Sequence, residues 1–259
     1  MFSGDRKMQL SQTIYNKNAA QSQIKATAVN LRTLAYFVTK RAIDIVAASF
    51  VLLVLGIPML IIAMLIEIET PGSAIFAQER VTARRKRIVN GKAEFDVVTF
   101  TCYKFRTMYK DASSEMHKAF VKAFIKNDAS AMAAINGAEN AEVKKIVNDP
   151  RVTLIGKFLR KTSLDELPQF INVLKGEMTL VGPRPCIPYE VEEYETWHKQ
   201  RLQATGGITG LWQVSARSAA DFDGMCKLDI EYIQSQSLMT DIKLILKTPL
   251  VMLFGRGGF

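Results

Sequence analysis

IVAASFVLLVLGIPMLIIAMLI, running from Ile45 to Ile66, is the longest apolar run in the chain, and its reading decides the fold. As one straight helix its 22 residues extend ~33 Å, about the thickness of a bilayer's hydrocarbon core. Two features argue against a simple crossing. Gly56-Ile57-Pro58 sits in mid-run, where proline removes a backbone hydrogen bond and bends a helix. Both flanks are basic: Lys40 and Arg41 come before, and Arg80, Arg84, Arg85, Lys86 and Arg87 come after. Cations near a membrane helix stay on the cytoplasmic side, so both ends are expected there. A helix over residues 41–68, bent near Pro58 and leaving by the face it entered, satisfies both features. A straight span and a buried helix of a soluble protein are the alternatives.

Outward from this run, residues 1–40 form a basic arm with a single acid, Asp5. It lacks the early apolar core of a secretory signal. Residues 69–259 hold enough chain for one folded domain. Strands are expected over 73–80 and 93–106, joined at Asn90-Gly91, a strong two-residue hairpin signal. Residues 111–148 are rich in Ala, Lys, Glu and Met and read as two helices in an insertion or lid. Helical periodicity returns at Leu154, Phe158 and Leu159, and again from Leu167 to Leu174, closed by Gly176. Gly206 to Trp212 reads as a glycine-rich loop. Asp221 to Lys247 reads as amphipathic helix broken near Ser235 to Ser237, and the apolar tail after it suits a membrane interface. The expected class is α+β and helix-rich: a re-entrant membrane helix hairpin, a cytoplasmic catalytic domain with a small β-hairpin, and interfacial amphipathic helices.

Composition narrows the chemistry. There are 34 Lys and Arg against 25 Asp and Glu, a net charge of +9. Such a surplus suits a phosphorylated partner: nucleic acid, anionic lipid or a phosphorylated small molecule. No basic stripe is interleaved with stacking aromatics, so nucleic acid is not expected. The 3 cysteines are scattered, and only 2 histidines are present. This leaves little material for a disulfide framework, a zinc site or a histidine-based triad.

The strongest chemical signal is Arg160-Lys161-Thr162-Ser163-Leu164-Asp165-Glu166-Leu167-Pro168. Proline belongs in a helix's first turn, so a helix start is expected near residues 163–167. A carboxylate there is held ionised by free N–H groups and the helix dipole. An ionised, positioned aspartate is a competent nucleophile, and two adjacent carboxylates can share Mg²⁺ with substrate phosphates. Arg160 and Lys161 lie one turn upstream, ready to neutralise a diphosphate. The plain alternative is a capping box, Ser163-x-x-Glu166. Downstream, Val181-Gly182-Pro183-Arg184-Pro185 fixes one arginine between two prolines, a way to pre-orient a phosphate clamp; a turn with a solvated arginine is the plain reading. Lys104-Phe105-Arg106 ends the second strand, and Arg80 ends the first; both read equally as solvated edges. The run Arg84 to Arg87 suits lipid headgroups or a solvated turn. Gly206 to Ser218, with Trp212, Gln213 and Arg217, combines mobile backbone, an aromatic and a cation, able to close over a sugar or base.

Taken together, five segments in order resemble the monotopic phosphoglycosyl transferases, bacterial sugar transferases that begin capsule, exopolysaccharide and O-antigen synthesis. They are Lys40-Arg41-x-x-Asp44, then Pro71-Gly72 through Gln78-Glu79-Arg80, then Lys104 to Met108. Asp149-Pro150-Arg151 through Gln169 follows, and then Gly182 to Pro185 with Gly207 to Gln213. The resemblance implies catalysis by Asp165 and Glu166 with Mg²⁺, and phosphate handling by Arg160 and Arg184, with Arg80, Arg106 and Arg217 as further substrate contacts. It implies a UDP-sugar donor, an undecaprenyl (polyprenyl) phosphate acceptor, and UMP with a polyprenyl diphospho-sugar as products. The expected location is the bacterial inner membrane, in contact with lipid, with the catalytic domain on the cytoplasmic face. The sequence departs from the family's pattern in three places. Val81 and Thr82 stand where glycines are common, Ala216 stands where glycine is usual, and residues 111–148 are longer than in the smallest members. The motifs track phosphate and lipid; they do not name the sugar, the pathway or an oligomeric state.

Overall fold

The computed structural model describes the backbone of residues 3–137, 143, 146–215 and 220–254; side chains are described for residue 27, from 29 onward within those ranges, and up to 251. The first element is a single helix, α1, Ser3–Glu69, 67 residues long. The expected arm and the expected membrane helix are therefore one element, and the helical backbone runs through Pro58 without interruption. Only 6% of its most apolar window is buried, unlike the core helix of a soluble protein. Phe50, Leu53, Val54, Ile57, Leu60 and Ile68 are among the residues it exposes.

What holds α1 is polar, and it lies at both ends of the apolar stretch. Asp44, 4% exposed, accepts from Thr179 Oγ1 at 2.7 Å and from the Leu180 amide at 2.9 Å. Arg41 donates to the Val173 and Leu174 carbonyls at 2.5 and 2.7 Å. Lys40 donates to the Val181 carbonyl at 2.9 Å and pairs with Asp241 at 2.8 Å. Tyr36 and Tyr232 donate to the same Asp241 carboxylate at 3.0 and 2.6 Å. At the far end, Ile66 packs into a cluster with Ala74, Phe105 and Leu159. Arg106 donates to the Thr70, Pro71 and Gly72 carbonyls at 2.7, 2.7 and 3.1 Å, closing the end of α1. Glu69 accepts from the Leu154 amide at 2.7 Å. Both ends of the membrane-length stretch are thus fastened to the same domain.

The hairpin is β1, Ile75–Val89, paired antiparallel with β2, Lys92–Phe105. Asn90 and Gly91 turn it with φ of 50° and 77°, the paired positive values a tight primed turn requires. The tip leans on α1. Gly91's amide donates to Asn30 Oδ1 at 2.6 Å, Thr33 Oγ1 donates to its carbonyl at 2.8 Å, and a β-carbon there would sit 2.1 Å from Val29. The basic run Arg84 to Arg87 is part of strand β1 and not a turn: Arg85 stacks on Phe37 at 4.7 Å, Lys86 pairs with Asp96, and Arg87 pairs with Glu94.

The insertion supplies α2, Glu115–Ile125, and α3, Ala129–Asn136. Then come α4, Leu154–Thr162; α5, Gln169–Lys175; β3, Thr179–Val181; α6, Pro188–Glu192; β4, Gly207–Thr209; α7, Leu211–Ser215; α8, Phe222–Ser235; and α9, Leu238–Phe254. The insertion is not a detached lid, because Val121, Phe124 and Ile125 of α2 pack into a core shared with Phe222 and Cys226 of α8. The expected glycine loop contains β4, which pairs parallel with β3. Gly207 is obligatory there: a β-carbon would come 2.1 Å from the Gly182 nitrogen. A second core gathers Val173, Met178, Val181 and Tyr232 against Ala48 of α1. Helices α4 and α9 both touch α1 and leave Leu154, Phe158, Met239, Leu246 and Leu250 exposed.

Asp44→Ala removes the acceptor for two buried donors, one of them a backbone amide. It should cost about 1–3 kcal/mol, read as a fall in Tm of the protein in lipid nanodiscs. Asp96→Ala, which breaks only the solvent-exposed pair with Lys86, should leave Tm within the scatter of the wild type.

Candidate active site

The Asp165-Glu166 pair is set by a break in the helix rather than by a helix start. Helix α4 ends at Ser163, which takes the left-handed conformation at φ 56°. A 3-10 turn, Leu164–Glu166, follows, and Pro168 caps α5. The expected capping box does not form: no side-chain cap bond is made at Ser163. The Glu166 carboxylate turns to cations instead. Lys104 Nζ lies 2.7 Å from Glu166 Oε1, and Arg184 Nη1 lies 3.6 Å from the same oxygen. Leu164 and Leu167, either side of the carboxylates, pack against the Ile66 cluster of α1.

The two neighbours have opposite electrostatics. Burial pushes Asp165 up to about 6, Lys104 opposes, and the Glu166 charge adds to the rise. For Glu166 burial also pushes upward, but Lys104, Arg184 and Arg80 together outweigh it and hold the carboxyl down at about 2. At neutral pH Asp165 is still mainly ionised, and of the two it is the first to take up a proton as pH falls.

A cleft beside the pair is lined by Arg80, Cys102, Lys104, Glu166, Gln169, Arg184, Pro185, Gly207, Ile208 and Gln213. Arg80 and Arg184 are thus brought together there. Arg80 is also structural: it donates to Gln78 Oε1 at 3.1 and 2.8 Å and to the Pro185 carbonyl at 2.9 Å, tying β1 to the loop that carries Arg184. Arg160 does not line this cleft but lies close enough to interact with the charge of Asp165. Its Nε donates to Thr107 Oγ1 at 2.9 Å, and Asp165 and Asp149 both act on its charge. Asp149 in turn binds Arg151 through both carboxylate oxygens, at 2.8 and 2.7 Å. Arg106, expected as a substrate contact, is not in the cleft; its guanidinium is spent on the carbonyls that end α1. Arg217 lies outside the described residues.

Sequence reasoning passed over Lys104, which makes the shortest contact to Glu166. Strand alternation held the signal: Cys102 and Lys104 are two apart in β2, opposite Gln78 and Phe76, and so share the face that carries Arg80. Gln169 and Gln213 were quoted only as members of motifs. For Mg²⁺ the donor set is spare. Among the described residues no group of three His, Cys, Asp or Glu gathers anywhere, so no protein cage exists. Asp165 accepts no hydrogen bond from the described residues, while Glu166 shares one oxygen with Lys104. That set fits an ion that keeps most of its water and takes further ligands from phosphate.

The family model described as Bacterial sugar transferase matches residues 35–255. A galactosyl transferase CpsE of Streptococcus agalactiae is 43% identical over 225 residues, covering 86% of this chain and 44% of that protein. An undecaprenyl-phosphate galactose phosphotransferase of Salmonella typhimurium is 38% identical, covering 85% of this chain and 41% of its own length. The exopolysaccharide production protein ExoY of Rhizobium meliloti is 35% identical, with 85% of this chain and 88% of that protein covered. The chain spans less than half the length of the first two relatives and most of the third.

Lys104→Met tests the ion cluster. It leaves Glu166 charged, buried and short of a partner, so at pH 7 the variant should lose about 1–3 kcal/mol. Glu166 is depressed, so its paired charge stabilises the fold above the ordinary glutamate range and loses that effect as pH falls toward 2. The gap in Tm between wild type and variant should therefore narrow on acidification from pH 7 to 3, because protonation relieves the variant's unpaired charge first. A gap that does not change with pH would mean that Lys104 acts through packing alone.

Proposed function

The chain belongs to the bacterial sugar transferase family, and from that we propose that it moves a sugar 1-phosphate from a UDP-sugar to a polyprenyl phosphate at the cytoplasmic face of a bacterial membrane. The observation that carries the reading is the cationic cleft around Glu166, next to a carboxylate on a turn anchored to the apolar helix. The Salmonella relative is named for transfer of galactose phosphate to undecaprenyl phosphate.

The mechanism we favour has two displacements. The Asp165 carboxylate attacks the β-phosphorus of the UDP-sugar. An Asp165 oxygen–phosphorus bond forms, the bond to the oxygen shared with the α-phosphate breaks, and UMP leaves with that electron pair. An oxygen of the lipid phosphate then attacks the same phosphorus, and Asp165 departs as carboxylate. Arg184 and Lys104 stabilise charge on the phosphoryl oxygens, and Arg160 acts on the charge of Asp165. Glu166, held ionised, keeps Lys104 and Arg184 in register and is the second candidate ligand for Mg²⁺. When bound by Asp165, Glu166 and the diphosphate, Mg²⁺ would neutralise phosphate charge. A pocket used in turn by a water-borne donor and a membrane-borne acceptor need never hold both.

The membrane arrangement is read from the same helix. Fastening at Lys40 to Asp44 and again at Ile66 to Gly72 keeps both ends of the apolar stretch beside the catalytic domain. On this reading α1 does not cross. Pro58 marks the point where bending costs least, since one backbone hydrogen bond is already missing there, and the exposed apolar faces of α4 and α9 lie in the interface.

Three outcomes test this. Given UDP-sugars without lipid, the enzyme should release about one UMP per active site and gain a sugar phosphate on the peptide containing Asp165; Asp165→Asn should abolish both. Release of UMP only when polyprenyl phosphate is present would favour direct attack in a ternary complex, with Asp165 demoted to metal ligand. Since Asp165 must be ionised to attack and is raised to about 6, kcat/KM should fall as pH drops below that value, and added Mg²⁺ should move the fall to lower pH. For topology, cysteines placed at Ala35 and Ser73, both exposed, should label only after the cell membrane is permeabilised. Labelling of one from outside intact cells would mean that the helix spans.

A further inference from the structure

The cleft beside Glu166 contains two polar side chains that the steps above leave idle. Gln169 is 4% exposed, Gln213 is 8% exposed, and both line the cleft. Gln213 donates from Nε2 to the Ile208 carbonyl at 3.0 Å, which fixes which arm of the amide is the oxygen. That oxygen, Oε1, is buried and accepts no hydrogen bond. The Gln169 carboxamide likewise has no hydrogen-bond partner among the described residues. Buried polar groups are nearly always paired, so the orphaned Gln213 oxygen, in a cleft that Gln169 also lines, calls for a ligand that supplies the partner.

The chemistry of that ligand follows from what is missing. Gln213 Oε1 needs a donor. Ionised phosphate oxygens are acceptors, and Arg80, Lys104 and Arg184 already offer them donors. A sugar hydroxyl both donates and accepts, which suits a cleft lined by a carboxamide oxygen and a carboxamide N–H. We propose that Gln169 and Gln213 bind hydroxyl groups of the hexosyl phosphate, so that the cleft recognises the sugar being transferred as well as its phosphate. The inference rests on reading this cleft as the sugar-phosphate site of the proposed reaction.

Binding without turnover tests it. The full chain in nanodiscs is titrated with galactose 1-phosphate, glucose 1-phosphate and inorganic phosphate. Wild type should bind at least one hexose 1-phosphate more tightly than phosphate. Gln213→Leu, Gln213→Met and Gln169→Leu should each erase about tenfold of that preference and leave the affinity for inorganic phosphate unchanged, which also shows that the fold is intact. A parallel loss for phosphate and hexose phosphate would overturn the proposal, because the carboxamides would then serve the phosphate or the framework. No preference in the wild type would overturn it as well. Failure to release UMP from any UDP-sugar would count against the proposed reaction, and the binding comparison would still be readable.

Discussion

Asp44 is the group on which the architecture turns. Its carboxylate accepts from Thr179 and Leu180 at the start of β3, and so joins the one long apolar helix to the strand that leads into Gly182-Pro183-Arg184. Everything on the phosphate side of the cleft follows from this joint. Strand β3 pairs with β4 so tightly that Gly207 can carry no side chain. From β4 the chain runs directly into Gln213, and from β3 directly into Arg184. Lys40 and Arg41, one turn earlier, add bonds to Val181, Val173 and Leu174, so the joint is directional where the apolar face of the helix is not.

The second constraint is charge in a confined space. Two adjacent carboxyls cannot both be buried and ionised at little cost, and the surroundings resolve the conflict by treating them differently. Glu166 receives the cations, Lys104 at 2.7 Å and Arg184 at 3.6 Å, and is held ionised. Asp165 receives burial without a hydrogen bond, and its affinity for a proton rises. A carboxylate that is desolvated and unpaired is a better nucleophile and a better ligand for an incoming cation than one already satisfied. Neighbours identical in charge thus acquire different tasks from position alone.

Much of this was legible in the sequence. The apolar run, the Asn90-Gly91 hairpin, the insertion's two helices, the Gly176 cap and the break before α9 all carry local signals of period or turn chemistry, and local signals survive folding. What was missed depended on long-range contacts. Strands of three residues have no periodicity, so β4 read as loop. Pro168 suggested a helix start at 163–167, whereas Ser163 adopts a left-handed turn that inserts a 3-10 segment first. Arg106 read as a phosphate contact because cations at a strand end are ambiguous; only the fold shows the carbonyls of α1 waiting for it. Lys104 is the reverse case, a plain edge lysine until Glu166 is brought beside it.

The coupling between membrane and chemistry is short. Leu164 and Leu167 bracket Asp165 and Glu166, and both pack into the cluster built around Ile66, Met59 and Ile62 of α1. The carboxylates are therefore fixed in height relative to the helix's apolar face by side chains in direct contact with it, without an intervening loop to take up error. A lipid phosphate attached to a long apolar chain can reach only a narrow band of depth at a membrane surface, since moving it away exposes hydrocarbon and moving it inward desolvates its charge. A nucleotide sugar has no such restriction. On the proposed reaction the acceptor is thus the substrate whose position is hardest to adjust, and the site has to be brought to it. The apolar helix and the turn that carries Asp165 are packed as one body, so on that reaction the depth at which α1 settles sets the depth of the chemistry.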